Sequence, residues 1–120
     1  MIVLQPGDVL YIYCIYTKPH PRHKFVVCIS SDPPLFFFIN TNARTRSPDA
    51  QVFVYKAELL CLSHDSYIDT ATVCTFDQNS LNEAKEKGAL IDPIKERIKQ
   101  AVSSHQHLPP RYSDLVLKNL

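Results

Sequence analysis

Three cationic or titratable residues in a row, Arg22-His23-Lys24, run directly into the apolar stretch Phe25-Val26-Val27-Cys28-Ile29, and two arginines, Arg44 and Arg46, follow the polar pair Asn40-Thr41. With His20 just ahead of the triplet and His64-Asp65 further on, the chain carries the groups that cleavage of an RNA phosphodiester requires. A 2′-hydroxyl attacking the adjacent phosphorus needs a base for its proton, a cation for the charge developing on the phosphoryl oxygens, and an acid for the leaving 5′-oxygen; none of these demands a metal. In that chemistry Lys24 and Arg22 stabilise phosphoryl charge, His23 or His64 transfers protons, and Thr41 with Asn40 positions the phosphate, while Arg44, Arg46 and His20 hold the RNA nearby. An ordinary basic loop ahead of a strand has the same residues at the same spacing, so the choice rests on the elements that place them.

Residues 9–16 form an uninterrupted β-branched and aromatic run after the break at Pro6-Gly7-Asp8, and they predict a first strand. Thr17-Lys18-Pro19-His20-Pro21 predicts a stiff, extended loop, because two prolines fix two φ angles. Residues 25–29 predict a central second strand, with the triplet at its mouth, and residues 35–41 a third, joined to it through the turn at Ser30-Ser31-Asp32-Pro33-Pro34. An antiparallel pair brings the start of the second strand and the end of the third to one edge, making Lys24 and Thr41 neighbours. Residues 51–55 predict a fourth strand and residues 63–76 one or two more.

The period then changes. Residues 80–87 predict a short helix, with Asn79 as its cap and Gly88 as its stop, and Asp92-Pro93 predicts a second, with Asp92 capping and Pro93 in the first turn. Ile94, Ile98, Ala101 and Val102 fall on one apolar stripe that packs on the sheet, and residues 112–120 predict a last short helix beyond Pro109-Pro110. Strands gathered first and helices last predict an α+β fold in a single domain over residues 1–120.

With 45% hydrophobic residues, 21% charged and a net charge of +1, the composition is that of an ordinary globular chain, so any anion site must come from local clustering. The start lacks a basic leader region and no segment approaches a membrane span, which predicts a cytoplasmic protein with no membrane partner. Two glycines, Gly7 and Gly88, exclude a P-loop or dinucleotide fingerprint. The spacings of His20, His23, His64, His105 and His107 and of the cysteines match no metal motif, so neither a metal nor another cofactor is expected. Cys14, Cys28, Cys61 and Cys74 lie in apolar, strand-like surroundings, which predicts reduced core thiols, although four cysteines also permit disulfides. His105-Gln106-His107 ends a helix, where the dipole favours a cation and a structural role.

Three segments then carry a family resemblance. Gly7-Asp8-Val9 is similar to an RGD-[IV]-hydrophobic opening, and the stretch from His23 to Asp32 to an RPV-V-VIS-N/D strand. Asp65-Ser66-Tyr67-Ile68-Asp69 through Thr75-Phe76-Asp77 is similar to a D-S-hydrophobic…IRT-hydrophobic-D segment. In this order, over roughly residues 6 to 104, the chain resembles the MazF/PemK (Kid-like) toxin endoribonucleases. The resemblance implies a small SH3-like antiparallel β-barrel with C-terminal helices, a homodimer and an antitoxin partner. It also implies metal-independent cleavage of single-stranded RNA that leaves a 2′,3′-cyclic phosphate. The family's catalytic arginine before the second strand falls on Lys24, and its threonine at the end of the third on Thr41. The chain departs from the pattern at Lys24-Phe25 in place of RP, at Cys74 in place of the IRT arginine and at Pro6 in place of the RGD arginine. Lysine lacks the planar fork that grips phosphate. The alternative is a catalytically diverged SH3-like barrel that binds nucleic acid or protein through Tyr11, Tyr13, Tyr16 and the basic loop. A homodimer is also expected because the first strand is apolar on both faces and Phe36, Phe37 and Phe38 put aromatics on both faces of the third, more than a single barrel interior would cover.

Overall fold

The computed structural model describes residues 3–17 and 19–120, so Lys18 of the proline-rich loop lies outside the described residues. Six strands are present: β1 (Asp8–Cys14), β2 (Arg22–Ser31), β3 (Pro34–Asn40), β4 (Gln51–Val54), β5 (Ser66–Asp69) and β6 (Lys85–Ala89). They form one antiparallel sheet in the order β4-β5-β3-β2-β1-β6, with β4 and β6 at its edges. Helices α1 (Gln78–Glu83), α2 (Asp92–Ser104) and α3 (Pro110–Asn119) complete an α+β architecture.

Successive side chains of a strand point to opposite faces, and this alternation divides the apolar residues into two layers. Val9, Val27, Phe37, Ile39 and Ile68 line one face, where Ile94, Ile98 and Val102 of α2 and Val116 of α3 cover them. Leu10, Ile12, Val26, Cys28 and Phe36 line the other, covered by Leu81 of α1 and Ala84. The aromatic run of β3 is thus sheltered inside one chain: Phe36 and Phe37 are fully buried and Phe38 half-buried. The aromatics of β3 therefore need no second subunit to cover them, while Tyr13 and, just beyond β1, Ile15 and Tyr16 stay exposed.

Two local expectations are corrected. Residues 80–87 are not one helix. The helix starts earlier, with Asp77 as its cap, its carboxylate accepting from the Ser80 amide at 2.7 Å, and stops at Glu83. Leu81 and Ala84 are its inward positions, and the following Lys85-Glu86-Lys87 offers no further apolar residue to hold a stripe. The backbone instead completes the free edge of β1, and Gly88, at φ +129°, sits opposite Val9 beside a register shift. An L-residue rarely adopts that φ, so Gly88 serves a bulged edge strand and not a helix stop. At α2, Ile91 is the cap and Asp92 lies inside the first turn, where its charge still meets the helix dipole.

The basic triplet is also not a loop. Pairing with β1 carries β2 back to Arg22, opposite Cys14, with His23 opposite Tyr13 and Lys24 opposite Ile12. No described helix is long and apolar enough to cross a membrane.

Candidate functional site

The register Cys14↔Arg22 and Val26↔Phe38 puts Cys14, Arg22, Lys24, Phe38 and Asn40 on one face at one end of the sheet. There, together with Tyr16, Thr17 and Arg44, they line a cleft of about 310 Å³ that opens to solvent. Among the described residues three cations and no acidic side chain line it, so a chain of net charge +1 gathers positive charge at this point.

Lys24 sits at the centre. Its Nζ donates to Asn40 Oδ1 at 2.9 Å and lies 5.9 Å from the centroid of the Phe38 ring, within cation–π range. Burial pushes its pKa below the ordinary lysine value, and the charges of Arg22 and then Arg44 push it further the same way. An ammonium group only donates hydrogen bonds, so its contact fixes which end of the Asn40 amide is oxygen and which is NH2. That NH2 is buried and has no partner among the described residues, in a residue only 8% exposed. An unpaired buried donor costs about 1–3 kcal/mol. Such a donor beside three cations suits a site that receives an acceptor-rich anion.

The same alternation divides the other candidate residues. His23, on the opposite face from Arg22 and Lys24, packs its ring against Tyr11 at 5.0 Å and Tyr13 at 5.4 Å. Thr41 and His64 line a separate small cleft of about 70 Å³ with Phe25 and Ile39. The expected proximity of Lys24 and Thr41 becomes a pairing of Lys24 with Asn40, one residue earlier, because odd-numbered Thr41 faces the other side. Asp65 is structural: its carboxylate accepts from the Lys56 amide at 2.8 Å. His20 and Arg46 are exposed and do not line the cleft, and the His20 ring is turned toward the Pro21 carbonyl at 3.2 Å. Cys14, Thr17 and Phe38 line the cleft although their types alone do not point to it; the parity of the β1–β2–β3 register is the signal that finds Cys14 and Phe38.

All four cysteines are free thiols. Burial pushes Cys28 up to about 11 and Cys74 higher still, so neither is a nucleophile at neutral pH. Among the described residues no group of three or more His, Cys, Asp or Glu side chains gathers as a metal cage would. His105 is buried, and its Nε2 lies 2.9 Å from the Thr70 hydroxyl, which donates its single proton to the Ala50 carbonyl at 2.8 Å. The imidazole therefore donates from Nε2 and accepts the His107 amide at Nδ1, 3.1 Å away. It is held neutral, and its pKa is lowered by burial and then by His107, so it is not the helix-end cation expected from its position.

Compared with models of known protein families and with curated protein sequences, the chain matches none.

Proposed function

We propose that this chain binds the backbone of single-stranded RNA in the Arg22/Lys24/Arg44 cleft and cleaves it without a metal, as the toxin of a toxin–antitoxin pair with an SH3-like barrel fold. The observation that carries the reading is the convergence of Arg22, Lys24 and Arg44 with Asn40 on one concave site. The guanidinium groups of Arg22 and Arg44 meet the non-bridging phosphoryl oxygens, with Asn40 beside them. Since no imidazole lines the cleft, the proton roles given to His23 and His64 pass to Lys24. Its lowered pKa raises its neutral fraction, so it takes the 2′-hydroxyl proton as general base. The leaving 5′-oxygen takes its proton from the solvent at the open rim. The products are a 2′,3′-cyclic phosphate and a 5′-hydroxyl. The homodimer and a cytoplasmic site of action belong to this proposal.

Purified protein incubated with long single-stranded RNA in excess EDTA tests the reading. Fragments ending in 2′,3′-cyclic phosphate are expected, and a single 2′-deoxy substitution at a cleavage position abolishes cutting there. RNA left intact at high protein concentration overturns the nuclease.

One observation favours a second reading. His23, Thr41 and His64 face away from the cleft, which leaves the site with fewer proton-transfer groups than a nuclease ordinarily uses. A cleft that holds RNA without cutting it retains the binding and loses the fragments, so the same incubation, followed by a binding measurement, separates the two.

A further inference from the structure

The phosphate cleft shares one wall with a second. β6 reaches only Tyr11 in its pairing with β1, so the last residues of β1 run on without a neighbour on that side. Between them and the segment leading into α1 lies a cleft of about 290 Å³. Tyr13, Ile15 and Phe76 supply its apolar surfaces, Thr75, Asp77 and Ser80 its polar groups, and Tyr16 lines this cleft and the cationic one alike. Tyr16 is 76% exposed, Ile15 54% and Tyr13 42%, a concentration of large exposed apolar groups that folding alone does not explain.

The two clefts differ in charge. Among the described residues no lysine, arginine or histidine lines the second, and Asp77 is the one acidic side chain there. Asp77 Oδ1 accepts the Ser80 amide as the cap of α1, and Oδ2 has no partner among the described residues. An uncharged, flat ring with hydrogen-bond donors on its edge fits such a site: its faces meet Tyr16 and its neighbours, and its donors meet the carboxylate. A phosphate fits less well, since it would face Asp77 with no cation among the described lining residues to offset the repulsion.

We propose that this cleft receives the nucleobase adjoining the phosphate held by Arg22, Lys24 and Arg44, and that Asp77 selects a base with an exocyclic amino group. The inference rests on the backbone-binding reading of the first cleft. Cytosine and adenine present an NH2 donor on their pairing edge, whereas uracil presents a carbonyl oxygen at the position of cytosine's amino group, so a carboxylate attracts the first and repels the second. Tyr16, bordering both clefts, turns the strand from its backbone site to its base site. Selection by acceptor chemistry and stacking by aromatic contact are separable, because stacking tolerates every base.

Fluorescence anisotropy with 2′-O-methyl octamers, which cannot be cleaved, tests this at fixed ionic strength. The probes are oligocytidine, oligouridine and an abasic strand with the same backbone. Oligocytidine is expected to bind about tenfold tighter than oligouridine. Asp77→Asn preserves the helix cap, since Asn caps as well as Asp, and replaces an acceptor by an amide that also donates. It is expected to erase or reverse the preference for cytidine, and Tyr16→Ala to narrow the gap between oligocytidine and the abasic strand. Equal binding of oligocytidine and oligouridine, or a preference unchanged in Asp77→Asn, overturns the base site while the backbone cleft stands, provided that Arg22→Ala still weakens every strand. If no strand binds, the abasic one included, the reading of the first cleft fails and this inference fails with it.

Discussion

Among single residues, Lys24 and Asn40 carry the chemistry. The pairing makes each explain the other: the ammonium orients the amide, and the amide carbonyl is the one close acceptor of a half-buried cation among the described residues. Asn40→Asp keeps the shape but places a carboxylate against Lys24, which raises the lysine pKa and repels phosphate. Affinity for non-cleavable RNA should drop about tenfold, or 1.4 kcal/mol, in a filter-binding titration, and an unchanged affinity would remove Asn40 from the site. If Lys24 is the base, the cleavage rate climbs with pH and levels off below the ordinary lysine value of 10.5. Lys24→Arg keeps the charge yet cannot deprotonate, and should retain binding while the rate falls about 10²–10⁴-fold. Much of this is legible in the amino-acid sequence: residue type and a place at strand ends single out Arg22, Lys24, Asn40 and Arg44. The same grounds single out His23, Thr41 and His64, which lie elsewhere. Proximity along the chain does not specify a face, and a shift of one residue turns a side chain to the opposite side of the sheet.

Among the helices and strands, the apolar stripe of α2 is readable from its 3.6-residue period, and Ile94, Ile98 and Val102 are its buried members. Ile98→Ala should cost about 2–5 kcal/mol, measured as a lower urea midpoint, because the residue is fully buried between helix and sheet. The edge strand β6 is not readable. Its sequence Lys-Glu-Lys-Gly-Ala favours a helix or a turn by propensity, and only the unpaired edge of β1 recruits it into the sheet. His105 misleads for a related reason: the helix end suggests a cation, but the Thr70 hydroxyl and the His107 amide leave no acceptor for a second proton. Its folded pKa lies below the unfolded value of 6.5, so the unfolded chain binds the proton more readily. The stabilisation is complete above that value and is lost as pH falls through it toward the lower folded pKa. The charged or titratable neighbours are His107, Asp49 and Asp69, of which the two carboxylates partly oppose the shift. Urea midpoints measured between pH 7.5 and pH 5 should fall for the wild type and fall less for His105→Gln, which keeps the Nε2 donor without the titration; parallel curves would contradict the assignment.

For the chain taken entire, the α+β class and the gathering of cations at one sheet end follow from the order of strands and helices. How well one chain covers its own aromatics does not follow, because that depends on two layers forming on opposite faces of one sheet. On the reading proposed, a nearly neutral chain holds RNA by three cations at one place, and salt dependence counts those cations. For a single strand, the slope of log affinity against log salt is about −0.7 per phosphate neutralised, so three contacts predict about −2. Anisotropy titrations of a non-cleavable single-stranded RNA over a range of salt concentrations should give that slope for the wild type, and one shallower by about 0.7 for Arg22→Ala and again for Arg44→Ala. A wild-type slope near zero, or variants with an unaltered slope, would show that the cleft does not hold the strand.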